Sequence, residues 1–298
     1  MANDIGWELY RSFLGVLREG SLSAAARALG VTQPTVGRHI AALEKSFGLT
    51  LFVRSQGGLL PTEAAESLRL HAEEMAKTAA ALQRAAANQG TGVRGVVRVT
   101  ASEVVGVEVL PTILAGLRND FPELRLELVL SNRPQDLLHR EADIAVRMFR
   151  PQQTQLVARR IGEIEVGLHA REDYLRRHGC PDQPQQLVDH ALIGFDQQTD
   201  FIRQAARKLP AGFDRERFVL SADSDLAQLA MIRAGAGIGA CQVPLASRDR
   251  RLVRVLPEHF SLPMETWVTM HEDLRNSAPC RAAFDALATG LQQYLAPD

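Results

Sequence analysis

The stretch from Ala24 to Gly48, AAARALGVTQPTVGRHIAALEKSFG, constrains the chain more than any other: two helical patterns meet at a glycine, and a proline sits just inside the second. Val36, Ile40, Leu43 and Phe47 recur at helical spacing and form one apolar stripe that must be buried. Thr32 is placed to cap this helix through its side-chain oxygen, and Pro34 falls in the first turn, where a missing N–H costs nothing. The spacing therefore predicts a helix starting near Gln33. Upstream, Ser23 is placed to cap a shorter helix over Ala24 to Leu29, which Gly30 stops in the left-handed conformation. Trp7, Tyr10, Phe13, Leu14 and Leu17 add a third stripe, so the first 48 residues read as a helix-turn-helix unit.

The segment TLFVRSQGGLLPT then predicts a hairpin with a basic tip around Arg54 to Gly58. A hairpin directly after the third helix is a wing. In a winged helix-turn-helix the N-terminal end of the third helix enters the major groove, while the wing reaches phosphate or the minor groove. Ser23, Thr32, Gln33, Pro34, Thr35, Arg38 and Arg54 are therefore the candidate DNA-binding residues. Polar residues opposite a core face are ordinarily just solvated, but here charge agrees with the pattern. Residues 1–60 hold six basic against four acidic side chains, a net of +2, whereas the remainder holds 28 against 31, a net of −3. A DNA-binding end on a nearly neutral protein has this sign.

From Ser21 to Arg54, SLSAAARALGVTQPTVGRHIAALEKSFGLTLFVR, followed by LPTEAAESL, the chain resembles the N-terminal signature of the LysR-type transcriptional regulators. Two positions depart from it: Gly37 stands where the family usually has Ser, and Ala65 where it usually has Gly. A helical glycine costs about 1 kcal/mol relative to alanine and removes a hydroxyl that could reach DNA.

Between Thr62 and Asn88 lies one long helical segment. Ala65, Leu68, Ala72, Met75, Ala79, Leu82 and Ala86 alternate in steps of three and four, a heptad seam that predicts pairing with a second copy through Leu68, Ala72, Met75, Ala79 and Leu82. The same stripe could instead pack on its own domain. The resemblance implies a linker helix that joins two subunits, hence a homodimer or dimer of dimers on a roughly palindromic double-stranded operator. RNA polymerase is a further partner if the regulator activates.

NQGTGVR, residues 88–94, marks a boundary, after which strand and helix patterns alternate, predicting α/β architecture with largely parallel sheets. The expected division is 1–61 for the winged helix-turn-helix, 62–90 for the linker, and 91–298 for an effector-binding domain. That domain reads as two subdomains, 91–161 with 266–298, and 162–265. GVVRVTAS, ADIAVRM and AGAGIGACQVP look like the family's effector-binding domain, which is similar to periplasmic binding proteins; these motifs are less specific than the N-terminal one.

Ligands in such sheets sit beyond the carboxyl ends of strands. This places Ser102, Glu103, Ser131, Arg147, Phe149, Phe195, Asp223 and Val243 as candidate effector-binding residues, near the positions where the resemblance puts inducer contacts. Arg147 could clamp a carboxylate in two-pronged geometry or pair with Glu103, whose charge favours an amino acid over a simple anion. The expected effector is a small carboxylate or amino acid. Asp143 reads as structural.

Other chemistry finds little support. AGAGIGA follows a helix and opens a strand, the reverse of a dinucleotide loop, so Gly235 reads as a helix stop. The eight histidines form no i, i+4 pair, and Cys180, Cys241 and Cys280 are odd in number and widely spaced. No metal, cofactor or catalytic residue is expected. The sequence has neither an apolar run of membrane-spanning length nor a signal-peptide pattern at MANDIGWELY, so a cytoplasmic protein without membrane contact is expected. The competing class is a solute-binding or enzymatic α/β protein whose N-terminal helices only assemble it.

Overall fold

The computed structural model describes residues 5–55, 58–87, 92–132, 142–151, 155–197, 202–203, 210 and 213–296. The predicted helices at 133–140 and 201–209 and the wing tip at 56–57 fall wholly or largely outside these residues. Two compact units emerge, one ending at Gln83 and the other beginning at Arg84.

In the first unit, α1 (Trp7–Glu19), α2 (Leu22–Leu29) and α3 (Gln33–Phe47) precede a hairpin of β1 (Phe52–Ser55) and β2 (Gly58–Pro61), then α4 (Glu63–Ala87). Phe13, Val16, Ala25, Val36, Leu43 and Leu51 are fully buried in one core. Burying such side chains contributes about 1.5–3 kcal/mol each for the larger ones, enough to fix short helices that would not stand alone. Glu44 ties α3 to the hairpin, its Oε1 accepting from the backbone N–H of Leu51 at 2.7 Å.

Two caps differ from expectation. Helix α2 starts two residues earlier, at Leu22, because Ser21 rather than Ser23 is its N-cap, accepting from Ala24 N at 3.2 Å. Thr32 does precede α3, but its hydroxyl lies 2.8 Å from the Thr35 hydroxyl instead of capping a backbone N–H. A side chain that bonds three residues ahead to another hydroxyl leaves the helix-start donors free for other acceptors. Gly30 ends α2 at φ 69°, as its position required.

The stripe of α4 divides. Ala65 and Ala72 are buried in the core of their own unit, with Leu68 and Ala76 packed beside them. Met75 and Leu82, by contrast, are 41% and 72% exposed. Ala72 is thereby covered by the helix bundle of its own chain, which corrects its place in the expected seam, whereas Leu68 and Ala79 are half-buried.

The second unit is a nine-stranded mixed sheet. Strands β3 (Gly95–Ala101), β4 (Leu124–Leu130) and β5 (Ile144–Arg147) are parallel to one another around β3. Strands β7 (Leu192–Phe195), β8 (Phe218–Ala222) and β9 (Ile238–Gln242) form a second parallel set around β7. The sequence reading anticipated these sets but not what joins them. LVARRI and EVGLHA are one strand, β6 (Leu156–Arg171), and it runs antiparallel to β11 (Leu262–His271) through both sets; β10 (Leu252–Val255) also pairs with β6. At Gly162 the strand passes through a bulge, with Ile161 the extra residue between the pairs Gly162–Thr266 and Arg160–Trp267.

Helices cover the sheet: α5 (Leu110–Asp120), preceded by a π-helical turn at Val105–Val109; α6 (Glu172–His178); α7 (Asp225–Ala234); the short α8 (Val243–Ala246); and α9 (Ala278–Leu295). Gly235 ends α7 at φ 77°, a helix stop and not a phosphate loop. Asp143 is buried and structural, its carboxylate accepting from Arg98 N at 2.8 Å and pairing with Arg84 at 3.1 Å.

Candidate DNA interface and effector cavity

On the first unit, the stripe of α3 faces inward and leaves its start in the open. Thr32, Gln33, Pro34 and Arg38 are exposed, Ser23 is exposed on α2, and Thr35 is half-buried. Arg54 is exposed on β1. Beneath this surface Ser12 Oγ lies 2.8 Å from His39 Nδ1, which fixes α3 against α1. Gly37 is half-buried, and a Cβ there would meet only Leu22 Cδ1 at 3.7 Å, so no packing constraint demands glycine.

On the second unit, a cavity of about 290 Å³ opens beyond the carboxyl ends of the parallel strands. Met148 follows β5, Phe195 ends β7, Gln242 ends β9, and Val104 follows β3. Its walls are mostly apolar, with Phe213, Phe218, Phe260 and Met264 among them. Gln242 is held by the Tyr294 hydroxyl, which donates to its Oε1 at 2.7 Å, and Gln228 by a bond from its Nε2 to Ala222 O at 3.2 Å. A second hollow of about 550 Å³, lined from α9 and the outer ends of β6 and β11, includes none of these strand ends.

One corner of the cavity carries charge. Asp225, the first residue of α7, lines it with Glu103 close behind, and its Oδ1 accepts from Asn132 Nδ2 at 3.5 Å. Glu103 also accepts from the Ser224 hydroxyl at 2.6 Å. Burial, and then the neighbouring Glu103, push the Asp225 carboxyl well above the usual carboxylate range. The far end of α7 is tied by Arg233, which donates to both oxygens of Glu108 at 2.6 and 2.8 Å. Glu108 lies in the π-helical turn, and this bond holds its carboxyl below the ordinary value.

Of the eight residues predicted to meet an effector, Phe195 alone is in the described lining. Arg147 is only 3% exposed, and its guanidinium donates to Val146 O at 2.9 Å and Thr100 Oγ1 at 3.0 Å, inside the sheet. It is outside the described cavity lining, whereas the next residue, Met148, is within it. Glu103 acts behind Asp225. Ser102, Ser131 and Phe149 are half-buried outside the lining, Asp223 is exposed and precedes the Ser224 cap, and Val243 opens α8 instead of ending a strand. Sequence reasoning missed Asp225, Gln228 and Gln242, although the Ser-Asp pair opening α7 was a readable helix-start signal.

Cys241 also lines the cavity, its Sγ 3.3 Å from His169 Nδ1. Burial pushes this thiol up to about 12 and the imidazole down to about 4, so the pair is neutral and not a thiolate with an imidazolium. Among the described residues no cluster of three metal-binding side chains occurs, and no helix is long and apolar enough to cross a membrane.

Comparison with known proteins decides between the two classes. The profile "LysR substrate binding domain" matches residues 90–292, and "Bacterial regulatory helix-turn-helix protein, lysR family" matches residues 7–66. The chain belongs to the LysR family of transcriptional regulators. A solute-binding protein or enzyme with accessory helices is thereby set aside. The probable regulator LtrA of Klebsiella pneumoniae is 27% identical to this LysR-type chain over 93% of it and 92% of the relative. A regulator of Xanthomonas campestris pv. campestris is 31% identical over 61% of the chain, the match spanning 53% of that protein. Among solved structures, full-length CbnR complexed with its target DNA aligns with TM-score 0.67 at 18% identity over 96% of this chain and 99% of that one. The Vibrio cholerae virulence activator AphB aligns with TM-score 0.62 at 22% identity, over 95% and 99%. These two likenesses concern the fold.

Proposed function

We propose that this LysR-type regulator binds a roughly palindromic operator through the start of α3 and the wing, and answers to a small molecule held in the cavity of its second unit. The carrying observation is the start of α3, where Thr32, Gln33, Pro34 and Arg38 are exposed above buried Val36, Ile40 and Leu43. Helix-start N–H groups and a dipole end favour phosphate there, while Gln33 and Arg38 are side chains able to read base edges. Arg54 on the wing supplies a phosphate contact. Two copies joined along α4 present two such surfaces, which is the reason for operator symmetry; RNA polymerase is the further partner if the outcome is activation. The protein acts in the cytoplasm.

The test compares two variants on the operator. Arg38→Ala should cost about 1–3 kcal/mol and relax preference at one operator position. Arg54→Ala should weaken all sequences alike and lower the salt slope by about one. Equal, sequence-independent losses in a binding titration would reject base reading by Arg38.

A further inference from the structure

We propose that the cavity takes a small apolar amine, its ammonium group seated on Asp225, which Glu103 backs from outside the lining, and its body against the aromatic and methionine walls. This rests on the reading of the cavity as the effector site and names the chemistry of the ligand.

Asp225 lies on the cavity beside Glu103, which accepts from the Ser224 hydroxyl at 2.6 Å. Asn132 bridges the same two residues, its Oδ1 accepting from Glu103 N at 3.2 Å and its Nδ2 donating to Asp225 Oδ1 at 3.5 Å, so the two acidic side chains share one small patch. Two carboxylates so close do not both ionise unless a cation joins them. An ammonium brings that cation with three donors in a compact head. A carboxylate ligand would instead meet an acidic corner. The cation in the described lining is Arg215, exposed on the 3-10 turn Arg215–Arg217, and Asp214 lines the cavity beside it. Arg147 is outside that lining, its guanidinium donating to Val146 O and Thr100 Oγ1. Phe195, Phe213, Phe218, Met148 and Met264 offer aromatic faces and soft sulfur to an apolar skeleton.

The test uses one skeleton with three heads: 2-phenylethylamine, 2-phenylethanol and phenylacetate, titrated calorimetrically into the full chain near neutral pH. The amine should bind about tenfold or more tighter than either other compound, the scale of one charge-assisted bond. Asp225→Asn should remove that advantage while leaving the alcohol's affinity within about twofold; a purely structural role for Asp225 would weaken both alike. Phenylacetate binding best, equal losses for amine and alcohol, or binding by none of the three would each overturn the amine proposal. The cavity reading is tested apart from it by Ala240→Phe, or by Met264→Trp if the first lacks a cooperative thermal transition. A carboxylate that binds the native chain but not the filled variant overturns the amine and keeps the cavity. Any of the three that binds the filled variant unchanged overturns the cavity as well.

Discussion

Gly37 lies in the exposed start of α3 yet is not held there by packing. Its position inside α3 is open to a methyl group, so Gly37→Ala should raise stability by about 0.5–1 kcal/mol, read from the denaturant midpoint of the full chain. No gain would mean the missing side chain is accommodated by strain elsewhere. Asp225 gives a pH prediction. Its carboxyl is pushed up to about 7 in the fold, above the ~3.9 of an unfolded chain. The folded state therefore keeps a proton that the unfolded chain releases, and the stability this contributes is complete below about 4 and lost as pH rises through about 7. His169 runs the other way: with its pKa lowered to about 4, its contribution is complete above ~6.5 and lost as pH falls. The two slopes oppose, so the informative quantity is native minus Asp225→Asn stability, which should fall by at most about 1.4 kcal/mol per pH unit across that window. A difference that does not change with pH would place the proton elsewhere.

At the scale of elements, α4 separates what a stripe can and cannot say. Ala72 and Met75 belong to one heptad seam, yet Ala72 is 4% exposed within its own unit and Met75 is 41% exposed. Met75→Glu should leave the thermal transition nearly intact but dissociate the assembly by analytical ultracentrifugation. Ala72→Glu should instead unfold the first unit, because an unpaired carboxylate buried there costs several kcal/mol. An intact dimer with Met75→Glu would remove this face from the interface. Small and apolar residues at three-four spacing look the same whether the partner is the same chain or another copy, which is why the sequence marked the stripe without dividing it. Helix α3 was more legible, since its stripe, proline and glycine act within one segment. The cavity was least legible. Met148, Phe195, Asp225 and Gln242 come from four separate elements, and a shift of one residue, Arg147 to Met148, reverses which face a strand presents.

The whole second unit is braced across its cleft by two ends of one helix. Ser224 and Asp225 at the start of α7 engage Glu103, and Arg233 near its end engages Glu108. The Arg233–Glu108 pair is partly exposed, so Glu108→Gln should cost only ~0–1 kcal/mol of stability once solvent screening is counted. Chemical denaturation reads this directly, and a loss of several kcal/mol would show a tighter, drier bridge than the geometry describes. The two long strands beneath have a larger consequence. Strands β6 and β11 stay paired from one half of the sheet to the other, interrupted only by the bulge at Ile161 and the facing Thr266 and Trp267. A ligand settling above them therefore works against a leaf spring, not a door on a free pivot.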